Sequence, residues 1–157
     1  MPEISRKNIR LQGYDYTKNG VYFITICCQN RMPLFDQSEV KKMVDLWLWK
    51  LEENYQHVVL DAYIVMPDHI HFILIKTEKD EIPLSRMMTW FKTMTTNAYI
   101  KGVRNDGWLP FEKRMWQRNY YEHIVRNDQD LNEKREYIIN NPLKHQNKTY
   151  IPLYESE

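Results

Sequence analysis

The sequence predicts an α+β fold, with one antiparallel sheet of about four to five strands and helices packed mainly on one face. Three features point there. Apolar, β-branched runs of strand length alternate with longer stretches whose apolar residues recur at helical spacing. Two of the runs are separated only by Pro67-Asp68, a join so short that it favours an antiparallel pair. The length of 157 residues, 43% of them hydrophobic, is about one domain's worth and buries a core without disulfide or metal staples.

The elements follow in order. VYFITICCQN (21–30) is β-branched and aromatic, follows a turn at Asn19-Gly20 and reads as a strand. Cys27 and Cys28, the only cysteines, are adjacent, so their side chains project to opposite faces and the expected state is two reduced, buried thiols. Over 37–55, Val40, Met43, Val44, Trp47, Leu48 and Leu51 mark an amphipathic helix, with Asp36 and Glu39 as its capping box. HVVLDAYIVM (57–66) and HIHFILIK (69–76) are two strands. A second helix over about 84–101 buries Leu84, Met87, Met88, Phe91, Thr95, Ala98 and Tyr99, and ends near Gly102 or Gly107. Residues 103–121 have no clean period, and a strand is expected at 115–121 or 120–125. A third helix begins after Arg126 with Asn127 as N-cap, places Leu131, Tyr137 and Ile138 inward, and is expected to stop at Pro142. The economical topology is ferredoxin-like, with the second sheet face open for a ligand.

Charge and hydropathy exclude several classes. With 22 Lys and Arg against 21 Asp and Glu, the chain is not a uniformly basic DNA-coating protein. Local excess remains possible in two places: residues 1–20 carry Arg6, Lys7, Arg10 and Lys18, and residues 84–118 carry seven basic residues against Asp106 and Glu112. No apolar run approaches the ~18 residues of a membrane span, and MPEISRKNIRLQ has no apolar signal core, so a cytoplasmic protein is expected.

Three constellations carry chemistry. His69-Ile70-His71 lies on a strand, where residues two apart share a face, so two imidazoles sit side by side as metal ligands do. A bare H-x-H is more often a half-exposed structural pair. Tyr137 and Asn141 share a helix face one turn apart. A phenol beside a divalent cation can attack a phosphodiester, whereas an ordinary Tyr137 would pack into the helix–sheet core with Asn-Asn-Pro as a helix stop. RMWQRNYYEHIVR (114–126) interleaves basic and aromatic groups, either to hold single-stranded nucleic acid or because its rings are core and its arginines solvated.

Four motifs stand in one order along the chain: VMPDHIHFIL, Trp90-Phe91-Lys92, W-Q-x-x-Y-Y-E-H-I-V-R-N and Y-I-I-N-N-P-L-K-H. In that order and spacing they resemble the IS200/IS605-like Y1 transposase family, and most closely its REP-associated tyrosine transposase branch. The resemblance runs from about residue 10 to residue 146 and implies one HUH-type endonuclease domain over 1–157. It makes His69 and His71 metal ligands for Mg²⁺ or Mn²⁺ and Tyr137 the nucleophile. It places Asn141 where the third ligand sits, a position where IS200-type members commonly carry Gln. His123 matches a recurrent histidine whose role could be DNA binding, proton transfer or structure. With it, Arg10, Lys92, Arg114, Arg118 and Arg126 are candidate DNA binders. The implied partner is single-stranded or hairpin DNA, without a membrane, and the implied state is a monomer or homodimer. The implied reaction is cleavage and rejoining through a 5′-phosphotyrosine. The rival readings are a hairpin-binding protein that does not cut, and a metal hydrolase that uses water. Where many relatives carry a Trp-x-Tyr-Ser-Ser-like segment, this sequence has YIPLYESE.

Overall fold

A computed structural model describes residues 19–146, with side chains as far as Asn141. Arg10, the rest of the N-terminal basic segment and the YIPLYESE tail lie outside the described residues. The elements are β1 (Gly20–Cys27), α1 (Ser38–Asn54), β2 (Val58–Met66), β3 (His69–Lys76), α2 (Leu84–Asp106), β4 (Tyr121–Val125) and α3 (Asp128–Gln146). The four strands form one antiparallel sheet in the order β2-β3-β1-β4, with the two middle strands adjacent and each β-α-β crossover reaching an edge. That is the ferredoxin-like arrangement expected, with a third helix added at its end.

Strand alternation divides the sheet into two faces. Tyr22, Ile24 and Ile26 of β1, with Ile70, Phe72 and Leu74 of β3, join the buried residues of α1 and α2 in the main core. The helical residues there are those the periodicity singles out: Val40, Val44, Leu48 and Leu51 on α1, and Leu84, Met87, Met88, Phe91, Thr95 and Tyr99 on α2. Phe23 and Ile73 point the other way into a smaller cluster with Val125 and Ile138. The second face is therefore not open. α3 lies across it, and this brings Tyr137 to the sheet.

Two local expectations change, at the start of α1 and the end of α3, and two alternatives are decided, at the end of α2 and the last strand. Gln37, not Asp36, is the N-cap of α1, and it makes no side-chain cap bond, because the helix starts one residue later than a box from Asp36 to Glu39 requires. α2 runs on to Asp106, with Gly102 buried inside it and Gly107 as the left-handed C-cap at φ 71°. Glycine takes that conformation at no steric cost. The later of the two strand positions is right, at 121–125, while the preceding segment contributes a single bridge between Cys28 and Trp116. α3 does not end at Pro142 but continues to Gln146. A proline in a helix forfeits one backbone bond and crowds the carbonyl four residues earlier, and the rest of the ladder carries the helix through. Its start is as expected: Asn127 Oδ1 accepts the Asp130 N–H at 2.8 Å. Cys27 and Cys28 are both unbridged and buried, and burial pushes the Cys27 thiol up to about 11.

Candidate active site

His69 and His71 project from β3 on the α3 side, and both are fully buried, which removes the half-exposed reading of the pair. Their rings lie 4.9 Å apart, centroid to centroid, at a steep angle. Each Nδ1 is engaged. A carboxylate only accepts, so the 2.6 Å contact with Asp68 Oδ1 puts the His69 proton on Nδ1. Arg31 Nη2, 3.4 Å from the same nitrogen, then acts through its charge and not as a donor. His71 Nδ1 lies 2.9 Å from Thr25 Oγ1, its cross-strand partner in the β1–β3 register. This is how ligating histidines are held: one nitrogen is fixed by a protein oxygen, and Nε2 remains as the ligating atom. Nε2 of His71 is buried and makes no hydrogen bond among the described residues.

The electrostatics keep His71 in ligating form. Burial first, then the fields of His69 and Arg31, push the His71 imidazole well below its ordinary 6.5, so it is neutral at pH 7. Burial pushes the Asp68 carboxyl up, but hydrogen bonds from His69 and Arg31 outweigh it and hold the group below its ordinary 3.8. Arg31 Nε donates to Asp68 Oδ2 at 3.0 Å. It reaches there because Asn30 and Arg31 both adopt left-handed backbone, at φ 57° and 54°, in the short turn after β1. Such a conformation costs about 1–3 kcal/mol per non-glycine residue and is characteristic of functional sites.

α3 brings Tyr137 over this floor. Its ring packs edge-on against His71 at 5.3 Å and against Phe23 at 6.0 Å, while Phe23 stacks on His71 at 5.4 Å. Asn141 is buried one turn further along, and its Nδ2 donates to the Tyr137 carbonyl at 2.6 Å, so that Oδ1 is the atom that could serve as a ligand. Among the described residues no third His, Cys, Asp or Glu completes a cluster with the histidines. The donor set fits a divalent cation that takes two imidazoles, an amide oxygen and substrate oxygens.

The basic candidates fall elsewhere. Arg114 and Arg118 line a cleft of about 430 Å³ between α2 and residues 113–118, together with Lys92, Lys113, Asn97 and Gln117. The rim of this cleft is tied to the histidine end of the sheet: the Gln117 N–H donates to the Cys27 carbonyl, and Cys27 pairs with His69. Lys92 Nζ donates to the carbonyls of Gln117 and Arg118, so it holds the cleft wall. Trp116 and Tyr120 are core residues, as the second reading of that segment had it, while Arg118 is exposed. His123 sits on β4 with Nε2 bonded to Asp130 on α3 at 2.7 Å, and Arg126 is exposed just beyond the strand. Sequence reasoning missed Asp68, Thr25 and Arg31. A lone threonine in an apolar strand and an aspartate directly before H-x-H were the available signals.

The family model described as Transposase IS200 like matches residues 16–141. The chain belongs to this family. As an IS200-like transposase it is 33% identical, over 93% of both chains, to an uncharacterized protein of Haemophilus influenzae. It is 27% identical to the REP-associated tyrosine transposase of Escherichia coli K12, over 83% of this chain and 70% of that one. Its fold matches the structure of a REP-associated tyrosine transposase bound to a REP hairpin, with a TM-score of 0.67, 27% identity and coverage of 92% of this chain and 74% of the other. Among the described residues, no helix of this IS200-like transposase is long and apolar enough to cross a membrane.

Proposed function

We propose that this protein is a metal-dependent tyrosine transposase that cleaves and rejoins single-stranded DNA at hairpin sites, with Tyr137 as the nucleophile. The observation that carries the reading is the packing of Tyr137 on His71, a ring whose Nδ1 is fixed by Thr25 and whose buried Nε2 takes no hydrogen bond among the described residues. The hairpin substrate is inferred from the relative whose structure is bound to a REP hairpin. Mg²⁺ or Mn²⁺ held by His69, His71 and Asn141 would supply Lewis-acid polarisation of a phosphoryl oxygen.

The chain's own residues do the rest. Asp68 and Thr25 fix the imidazole orientations, and Phe23 with His71 fixes the tyrosine ring. The Tyr137 oxygen attacks phosphorus in line, the bond to the 3′ oxygen breaks, and the phenol gives its proton to solvent while the leaving 3′ oxygen takes one from solvent to become the 3′-hydroxyl. The 5′-phosphotyrosine retains the phosphodiester's energy, so a 3′-hydroxyl can reverse the step and rejoin strands. Arg114 and Arg118 suit the phosphates of a strand entering the cleft, and Arg10, Lys92, His123 and Arg126 complete the candidate DNA-binding set.

The test is incubation of wild type and Tyr137→Phe with single-stranded oligonucleotides carrying the hairpins that flank the gene, with Mn²⁺ or Mg²⁺, followed by denaturing gels. A metal-dependent protein–DNA adduct lost in Tyr137→Phe is the expected result. Cleavage that survives in Tyr137→Phe would transfer the reaction to activated water. Tight hairpin binding with no cleavage by wild type would make the protein a hairpin-binding module.

A further inference from the structure

α3 carries the nucleophile assigned above and packs on the sheet through Leu131, Tyr137 and Ile138. The cluster beneath it has Phe23, Ile73, Val125 and Ile138 as its buried residues, of which Ile138 belongs to α3, with Leu131 and Tyr137 of the helix half-buried against them. Among the described residues, side-chain links from α3 to the sheet supplement it: Lys134 Nζ lies over the Phe23 ring of β1 at 5.4 Å, and a carboxylate contact reaches each edge strand. Near the start of the helix, Asp130 meets His123 of β4 at 2.7 Å. Two residues before Tyr137, Arg135 meets Asp61 of β2.

The link to β2 is built by an irregularity in the sheet. Leu60 pairs with Leu74 and Ala62 with Ile73, so Asp61 is an extra residue in β2, a bulge. The bulge reverses the strand's alternation. Before it, Val58 and Leu60 face the main core, and beyond it Tyr63 and Val65 do so, while Ala62 and Ile64 turn toward α3. Bulges beside functional sites break a strand's alternation, and this one leaves Asp61 without a cross-strand partner on the α3 side, next to Ala62. Asp61 Oδ2 accepts from Arg135 Nε at 2.8 Å and Oδ1 accepts from Nη2 at 2.7 Å, a two-point fork. Two parallel bonds between planar groups constrain rotation as well as distance, which a single contact does not. A fork two residues from Tyr137 therefore restricts both the roll of α3 and its position along its axis.

We propose that the Asp61–Arg135 fork is a positioning clasp that sets the placement of the Tyr137 ring on His71. Asp61 and Arg135 touch neither substrate nor metal in this assignment; they act through the helix. Only the catalytic consequence rests on Tyr137 being the nucleophile. A lysine at 135 keeps the charge and the attraction to Asp61 but loses the fork, so it separates positioning from simple docking.

The experiment uses the full chain labelled at histidine, with the His71 ring resonances as reporter, since an aromatic edge 5.3 Å away shifts them. Tyr137→Leu supplies the reference without that ring. Asp61→Asn and Arg135→Lys should move the His71 resonances toward the Tyr137→Leu position. In the same variants single-turnover adduct formation should slow about 10- to 100-fold, with hairpin affinity within about twofold of wild type. Circular dichroism and the thermal midpoint establish that each variant is folded, and if Asp61→Asn is not, Arg135→Lys alone decides. Resonances that stay at the wild-type position while the midpoint falls would overturn the proposal, leaving a link that docks α3 without placing the tyrosine. Resonances that move with an unchanged adduct rate would also overturn its catalytic part. If wild type forms no adduct but the resonances move, the clasp stands and the nucleophile assignment fails.

Discussion

Replacing Asp68 by asparagine should unlock the histidine pair in a way that pH can titrate. Asp68 accepts two donors with two oxygens, His69 Nδ1–H at 2.6 Å and Arg31 Nε at 3.0 Å. An amide offers one oxygen and one NH₂ group, so one of these contacts becomes donor against donor. A hydrogen bond to a charged group contributes about 1.5–3 kcal/mol. The Arg31 and Asp68 side chains are 20% and 24% exposed, so solvent screens part of the ion pair. The expected loss at neutral pH is about 2 kcal/mol. The sign with pH follows from the direction of the shift. Folded Asp68 titrates below its ordinary 3.8, so its contribution is complete above that value and disappears as pH falls through the lower folded value. Urea unfolding in EDTA, followed by tryptophan fluorescence from about pH 7 down to about pH 2.5, should show wild type and variant converging in acid. Adding Mn²⁺ near pH 7 should reveal a second defect, a metal affinity lower by about 10- to 100-fold, because His69 has lost the group that fixes its tautomer. Equal stability at neutral pH, or a gap that persists undiminished in acid, would refute the reasoning.

Three further outcomes follow from the packing and the site. Gly102→Ala places a Cβ 2.1–2.5 Å from three atoms of the Trp108 ring. Overpacking of about 1–3 kcal/mol should outweigh the gain in helix propensity of about 1 kcal/mol, and urea melts should show the sign reverse in a Trp108→Ala background. Thr95→Val removes the acceptor that the buried Trp116 indole N–H reaches at 2.9 Å, so chemical denaturation should show a loss of about 1–3 kcal/mol. Without metal, His71 stays neutral in the fold while the unfolded chain takes up a proton below the ordinary 6.5. Stability should therefore fall as pH drops through that value, and His71→Gln, compared by denaturation at about pH 5.5 and 7.5, should lose that slope.

The pairing of the candidate residues was legible because their spacing is local, and the order of the four motifs singled them out. His69 and His71 share a strand face whatever the sheet around them, and Tyr137 and Asn141 share a helix face. The second layer of the site was not. Thr25 matters only because the β1–β3 register sets it opposite His71, and Arg31 only because two left-handed residues turn it back onto Asp68. The aromatic residues of 114–126 illustrate the same limit. Trp116 and Tyr120 are compatible with base stacking or with a core, and the single bridge to Cys28 with packing onto Phe35 and Phe91 puts Trp116 in the core.

By itself, then, the sequence determined the helical faces and most of the strands, and it set His69 beside His71 and Tyr137 beside Asn141, all consequences of periods of two and 3.6 residues, while the roles proposed for those pairs come from the order of the four motifs. Tertiary structure alone decided that α3 covers the second sheet face, that both histidines are buried, and that Tyr137 meets His71. It also decided that the bulge at Asp61 gives Arg135 something to grip. These depend on register, bulges and helix docking, which bring together residues far apart in the chain, such as Asp61 and Arg135 or Phe23 and Tyr137, and leave no periodic trace in it.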